Sequence, residues 1–364
     1  MKVVLYIGHH KVGSTALQQF LAQNSHRLLQ HGILYPAVES EALAYNLAKA
    51  IGRGDEVADL PMNIREPHNA LAYRMWNHRK GYTVPGYHRR LPAMHQMQFT
   101  LENQIATLAP HTVILCSEVM ANFAKVDLFL IDQMRMMFGP DIELEIYCAL
   151  RRPDEYLTSW HGQRLRFGGR FDALRDGGFK EYFGDIHFDY ELMLRPWFER
   201  CTKATFHIRP YAEIMASTDS TADFMNHVGV EFPDGLLPAP RLNTSYPHAL
   251  FEIARLGNHA LSRENATALR DFLMSVRSDM DLPANAQIEM FGAENRTALH
   301  KAFTPIEDWL RRATGRSAFF NDLDDMLPVR PLPELEVMRS AVTQISALDQ
   351  TMLPTDVQDF LGGL

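Results

Sequence analysis

Lys11 stands inside a glycine-bounded loop, "GHHKVGST" (residues 8–15), directly after the apolar run "KVVLYI" (2–7). Gly8 and Gly13 permit close approach of backbone to a ligand. A strand that ends in such a turn and then opens a helix aims several N–H groups into one concavity, and the positive end of the helix adds to that field. Ser14 and Thr15 offer hydroxyl donors and are expected to cap the helix. Lys11 brings a mobile full charge over whatever anion is held. A nucleotide triphosphatase wants its lysine immediately after the second glycine. Ser14 occupies that position here, so a P-loop kinase or NTPase is the weaker expectation.

A second candidate is "LRRPDEYLTSW" (150–160). Arg151 closes an apolar run, Pro153 suits a first helical turn, and Asp154 and Glu155 favour the same helix start. Ser159 then falls about two turns in, on the face that points back toward the strand end. Arg151 and Ser159 are thus candidates for a second phosphate; a surface salt-bridge network is the alternative. Glu118, in "TVILCSEVM", is the first candidate for a general base, because open α/β sheets bind ligands at the carboxyl ends of their strands. A helix-start carboxylate after Ser117 is the competing view. His9, His10 and His161 are alternative bases, and a histidine packed beside the sheet is as consistent with the pattern. No HxxxH or carboxylate pairing suggests a metal site.

The elements that must position these groups follow from periodicity. Near-continuous apolar runs at 2–7, 112–116, 144–150 and 204–208 predict strands of a parallel sheet covered on both faces. Leu17, Phe20, Leu21, Asn24 and Leu28 mark one helical face after the loop, with Gly32 as the stop. Alternation of this kind predicts an α/β fold. From about Pro247 the chain reads as helices. A single domain over 1–321 and an acidic, peripheral or mobile extension over 322–364 are expected.

Hydrophobic content of 46%, charged content of 22% and a formal charge of −8 describe a globular chain and argue against general nucleic-acid binding. The extension alone carries eight acids against Arg330 and Arg339, which leaves the rest close to neutral. Residues 67–101 hold no acid but five cations and four Tyr or Trp residues, a stretch suited to an anionic or sugar-like ligand or to an ordinary solvated loop. Arg164, Arg166 and Arg170 extend that expectation of an anionic acceptor. No run is long enough to span a bilayer, and "MKVVLYIG" lacks the form of a secretory signal, so stable membrane insertion is not expected and a cytoplasmic location is the default. Cys116, Cys148 and Cys201 are odd in number and widely spaced, which predicts buried thiols.

Together the two phosphate elements resemble the sulfotransferases that use 3′-phosphoadenosine 5′-phosphosulfate (PAPS). "GHHKVGSTALQQFLAQNSHRLLQHGILYP" is similar to that family's 5′-phosphosulfate loop and following helix. "LRRPDEYLTSW" is similar to its 3′-phosphate segment, where an arginine precedes a serine by eight positions. "FDYELMLRPWFER", "IRPYAEI" and "RLNTS" fit bacterial carbohydrate-type members, and the likeness spans roughly residues 1–310. The resemblance implies a P-loop-like central parallel sheet flanked by helices with a largely helical C-terminal region. It also implies sulfuryl transfer, without a required metal, from PAPS to a hydroxyl or amine of a carbohydrate, glycolipid or other small acceptor, releasing 3′-phosphoadenosine 5′-phosphate (PAP). Lys11 would serve the bridging oxygen between phosphate and sulfuryl group, and His9, Val12, Gly13, Ser14 and Thr15 would lie along the 5′-phosphosulfate. Arg151 and Ser159 would grip the 3′-phosphate, with Arg241 as a further cofactor contact by analogy. Glu118 matches the glutamate base frequent in carbohydrate members, and His10 the histidine of small-molecule members. A catalytically silent nucleotide- or glycan-binding protein of the same fold is the remaining alternative.

Overall fold

β-branched and aliphatic runs with no polar face must be covered on both sides, and that is how they are used. In the computed structural model, which describes residues 1–53, 60–88, 90–239 and 246–364, all four expected strands form. They are β1 (Lys2–Tyr6), β3 (Thr112–Cys116), β4 (Glu143–Leu150) and β5 (Thr205–Pro210). A two-residue strand, β2 (Ile33–Leu34), joins them, too short to show any period. The order is β2-β3-β1-β4-β5 and every pairing is parallel. The α/β class is therefore as expected.

The contacts divide the chain into two units. The first comprises Met1–Arg151, Asp189–Leu242 and Ala313–Gly315, and the second Arg152–Phe188, Asn243–Arg312 and Arg316–Leu364. In the first, buried Val4, Tyr6, Ile114, Cys116 and Tyr147 of the sheet pack with Leu17, Phe20 and Leu21 in one hydrophobic cluster. The single helix expected after the glycine loop is instead a pair, α1 (Ser14–Gln23) and α2 (Ser25–Gln30). The break falls at Asn24, whose amide donates to Phe20 O (2.9 Å) and to Leu237 O (2.9 Å) and accepts from Leu237 N (2.8 Å). These bonds to a distant backbone hold the residue at φ −95°, ψ 3°, outside the helical run. All three cysteines are buried and free.

The second unit is helical, as read, with a two-strand parallel ribbon, β6 (Ile288–Glu289) and β7 (Leu332–Pro333). The acidic segment 322–364 is not peripheral. Its helices Glu334–Ser346 and Thr355–Gly362 bury Val337, Ala341, Ile345, Val357 and Leu361. Its acids pair inward as well: Arg152 Nη1 donates to Asp322 Oδ2 (2.7 Å), and Arg175 bonds Glu334 while donating to Glu252 Oε1 (2.9 Å). Acidic composition masked an amphipathic pattern, several of whose charges, among them Asp322 and Glu334, have partners elsewhere in the unit. Among the described residues no helix is long and apolar enough to cross a membrane.

Candidate functional site

The order of the sheet creates a crevice. The connection leaving β1 runs toward β2 and β3, whereas that leaving β4 runs toward β5, so the two diverge at the carboxyl ends of neighbouring strands, where open α/β sheets bind ligands. The glycine loop leaves β1 at this point. Pairing with β4 persists into it: His9 N donates to Ala149 O (2.9 Å) and Ala149 N to Gly8 O (3.0 Å). The chain therefore turns away only after His9, one position in register from Arg151.

Beyond that point the loop takes left-handed conformations, Lys11 at φ 62° and Gly13 at φ 86°. For a lysine this costs of order 1 kcal/mol or more, a strain that clusters at ligand sites. Gly13 has no alternative: a Cβ there would meet Ser220 Oγ at 2.2 Å, and Ser220 pins the loop by donating to Val12 O (2.9 Å). Neither Ser14 nor Thr15 caps α1 as expected, for Gly13 is the N-cap residue and no side chain caps that end. The Ser14 hydroxyl bonds Glu118 instead. As the N-cap, Gly13 sets no side-chain oxygen over the first turn of α1, a geometry that suits an anion.

Arg151 and Arg152 are adjacent yet differ in use. Arg152 is buried, donating to Asp154 (2.7 Å) and Asp322 within the second unit. Arg151 belongs to the first unit, where its guanidinium lies 5.5 Å from the centre of the Tyr211 ring and its carbonyl accepts from Tyr190 Oη (2.7 Å). The Tyr190 ring in turn sits edge-on to His9 at 5.7 Å. Ser159 lies half-buried on the helix Pro153–Arg166 of the second unit. Arg241 lies outside the described residues.

Glu118 begins the short 3-10 turn Glu118–Asn122 just past β3. Its Oε2 accepts from Gln18 Nε2 (2.9 Å) and its Oε1 from Asn69 Nδ2 (3.1 Å). The same Asn69 nitrogen donates to Glu66 Oε2 (3.0 Å), while Glu66 Oε1 accepts from Arg65 (2.8 Å). The orientation of the Asn69 amide is fixed by Ser117. Its Oγ accepts from Val119 N (3.2 Å), so its own hydrogen goes to Asn69 Oδ1 (2.7 Å), which turns the Asn69 NH₂ toward the carboxylates. Burial raises both carboxyls above the ordinary range. The donors around Glu118 and the Arg65 cation beside Glu66 oppose that shift, and the charge of Glu118 adds to it at Glu66.

The histidines separate clearly. His9 is fully buried, and its Nδ1 accepts from His10 N (2.6 Å). Burial first, and the Lys11 charge second, lower His10 to about 4, so it is a neutral acceptor at pH 7. His161 is buried in the second unit, within 3.3 Å of Tyr182 Oη and lowered to about 3 chiefly by burial. His68 is a structural ring: Nδ1 accepts from Cys116 N (3.1 Å), so Nε2–H donates to Pro36 O (3.1 Å).

The acid-free stretch is less open than its composition suggests. Arg74 donates to Leu91 O (2.7 Å), Arg79 and Lys80 pair with Asp127, and Trp76 stacks on Tyr82 with centroids 4.0 Å apart. Likewise Arg164 pairs with Glu181, and Arg170 donates to Asn258 O (2.6 Å). Sequence reasoning missed Gln18, Glu66 and Asn69. Gln18 lies one helical turn after Ser14, and Glu66 and Asn69 stand three apart around a helix start, so spacing alone held the signal.

Compared with family models, curated proteins and solved structures, the chain matches none.

Proposed function

We propose that the chain is a PAPS-dependent sulfotransferase that moves a sulfuryl group to a hydroxyl or amine, with a carbohydrate or glycoconjugate as acceptor. The observation that carries this reading is the juxtaposition at the β1–β4 crevice of a strained, lysine-bearing loop, an α1 end without a side-chain cap, and Arg151. Lys11 lies inside the loop, which suits a charge on the bridging oxygen of a phosphosulfate better than a magnesium-bound γ-phosphate.

In this mechanism the loop amides from Val12 to Thr15 hold the 5′-phosphosulfate, and Arg151 holds the 3′-phosphate. Ser159 and Arg241 are assigned to the donor on the resemblance alone. The acceptor oxygen forms its bond to sulfur as its proton passes to Glu118. The bond from sulfur to the bridging oxygen breaks, and the electron pair leaves with the 5′-phosphate, where Lys11 stabilises the growing charge. Glu118 suits the proton transfer because burial raises its basicity while Gln18 and Asn69 fix its rotamer. His10 remains the alternative base, neutral at working pH.

Calorimetric titration of the full chain with adenosine 3′,5′-bisphosphate in the absence of magnesium tests the donor half. Micromolar or tighter binding is expected, with ATP and magnesium unable to displace it. Preference for ATP with magnesium would overturn the reading in favour of a kinase or NTPase.

A further inference from the structure

We propose that Glu66 is a positioning residue that raises the proton affinity of Glu118, acting through the Asn69 side-chain amide that both carboxylates share. As a statement about the reaction this rests on the function proposed above; as a statement about two carboxyl groups it does not.

The geometry is specific. One NH₂ group carries two hydrogens and donates one to each carboxylate, at 3.0 and 3.1 Å. That limits the two acceptor oxygens to about 6 Å apart. The amide cannot flip to relieve the arrangement, since Ser117 holds its oxygen. Glu66 is 9% exposed, and the far oxygen of Glu118 is held by Gln18. Two like charges at such a distance in a poorly solvated site interact strongly, so removing the proton from one makes the other more basic.

Arg65 decides how far that effect reaches. Its Nε and Nη2 lie 3.1 and 2.8 Å from Glu66 Oε1, so it offsets part of the Glu66 charge without contacting Glu118. The remaining ionisable groups around the pair do not titrate near neutrality. Tyr35, Tyr73, Tyr87 and Cys116 are raised by burial and stay protonated. So does Tyr6 of β1, again chiefly by burial. His68 and His88 are lowered by burial, to about 3 and about 4, and stay neutral. Among these described groups, Glu66 and Glu118 are therefore the ones whose charge changes near neutrality, against the constant charge of Arg65. A merely structural Glu66 would tie down the start of the helix Pro67–Lys80 and leave the basicity of Glu118 untouched.

The test is a carboxyl titration of the full-length protein labelled with ¹³C-glutamate, Glu118 being assigned by its loss in Glu118→Gln. Glu66→Gln retains an oxygen for Asn69 but removes the charge, and is expected to lower the Glu118 midpoint by about one pH unit. Arg65→Gln is expected to raise it by a comparable amount, and as a change at a more exposed residue it covers the case in which Glu66→Gln fails to fold. An unchanged Glu118 midpoint in either variant, or shifts of the same sign in both, would overturn the proposal. With donor and a reactive acceptor, the acid limb of kcat/KM should move with the NMR midpoint in each variant. Coupled NMR midpoints without binding of adenosine 3′,5′-bisphosphate would uphold the carboxylate pair and sink the sulfotransferase reading. Binding with uncoupled midpoints would do the reverse.

Discussion

Lys11 and Gly13 make opposite uses of the same backbone region. Gly13 is there because no side chain fits beside Ser220, whereas Lys11 takes a positive φ that its own Cβ resists. Backbone strain of this kind clusters at ligand sites, and an anion held over the loop, as proposed, would be one reason to keep it. Lys11→Ala should therefore lower sulfuryl transfer by about 10² to 10³-fold, comparable to removing one donor to a developing oxyanion. Affinity for adenosine 3′,5′-bisphosphate, measured by calorimetry, should fall less than about tenfold, since Arg151 and the loop amides remain. Equal losses in transfer and affinity would give Lys11 a role in binding only. Glu118→Gln keeps an oxygen for Asn69 at Oε1, while its NH₂ faces Gln18, which must turn its own amide oxygen to accept, and the variant tests the base separately. A large loss of kcat with unchanged nucleotide affinity is expected, and normal turnover would pass the role to His10.

At the scale of elements, what the sequence disclosed depended on how local the cause was. Strands β1, β3, β4 and β5 were legible because burial on both faces leaves an uninterrupted apolar run. The glycine loop was legible because its conformation is written in Gly8 and Gly13. The break at Asn24 was not, since its cause is the Leu237 backbone far along the chain. Nor was the Glu66–Asn69–Glu118 cluster, assembled from two distant segments, or the packing of helix Glu334–Ser346, whose acids look solvent-directed until Arg175 is placed beside Glu334. That last contact carries its own prediction. Arg175 is flanked by Glu252 and Glu334, whose side chains are 4% and 5% exposed, and Glu252 retains Arg255 at 2.7 Å. Arg175→Met leaves Glu334 buried without its cation and should cost roughly 3 kcal/mol in urea unfolding at about pH 8, where the carboxyl must either stay charged unpaired or take up a proton. Adding Glu334→Leu should restore most of the loss. If the double variant is no more stable than the single one, the contact is packing and not electrostatics.

For the whole molecule, buried titratable groups set opposing slopes of stability with pH. His10, His68, His88 and His161 are all lowered from 6.5, to about 4, 3, 4 and 3, each chiefly by burial. Between those values and 6.5 the unfolded chain binds more protons than the folded one, so stability falls as pH falls through that window. Glu334 has the other sign. Burial raises it to about 7, against which the Arg175 charge works, so the folded state binds its proton more tightly than the unfolded chain. Its contribution is full below about 4.5 and is lost as pH rises through about 7. Glu66 and Glu118 are raised as well and act in the same direction. Four histidines outweigh these carboxyls below 6.5, where each shift is worth a few kcal/mol, and saturate above it. Thermal unfolding should therefore show greatest stability near pH 6.5, a steep loss toward pH 4 and a shallow one toward pH 8. Three of the four histidines belong to the first unit, so its amides should lose hydrogen-exchange protection first on acidification. His68→Gln can still accept from Cys116 N–H and donate to Pro36, and it should flatten the acid limb by close to one proton. An acid limb of unchanged slope in that variant would mean that other groups drive the acid transition.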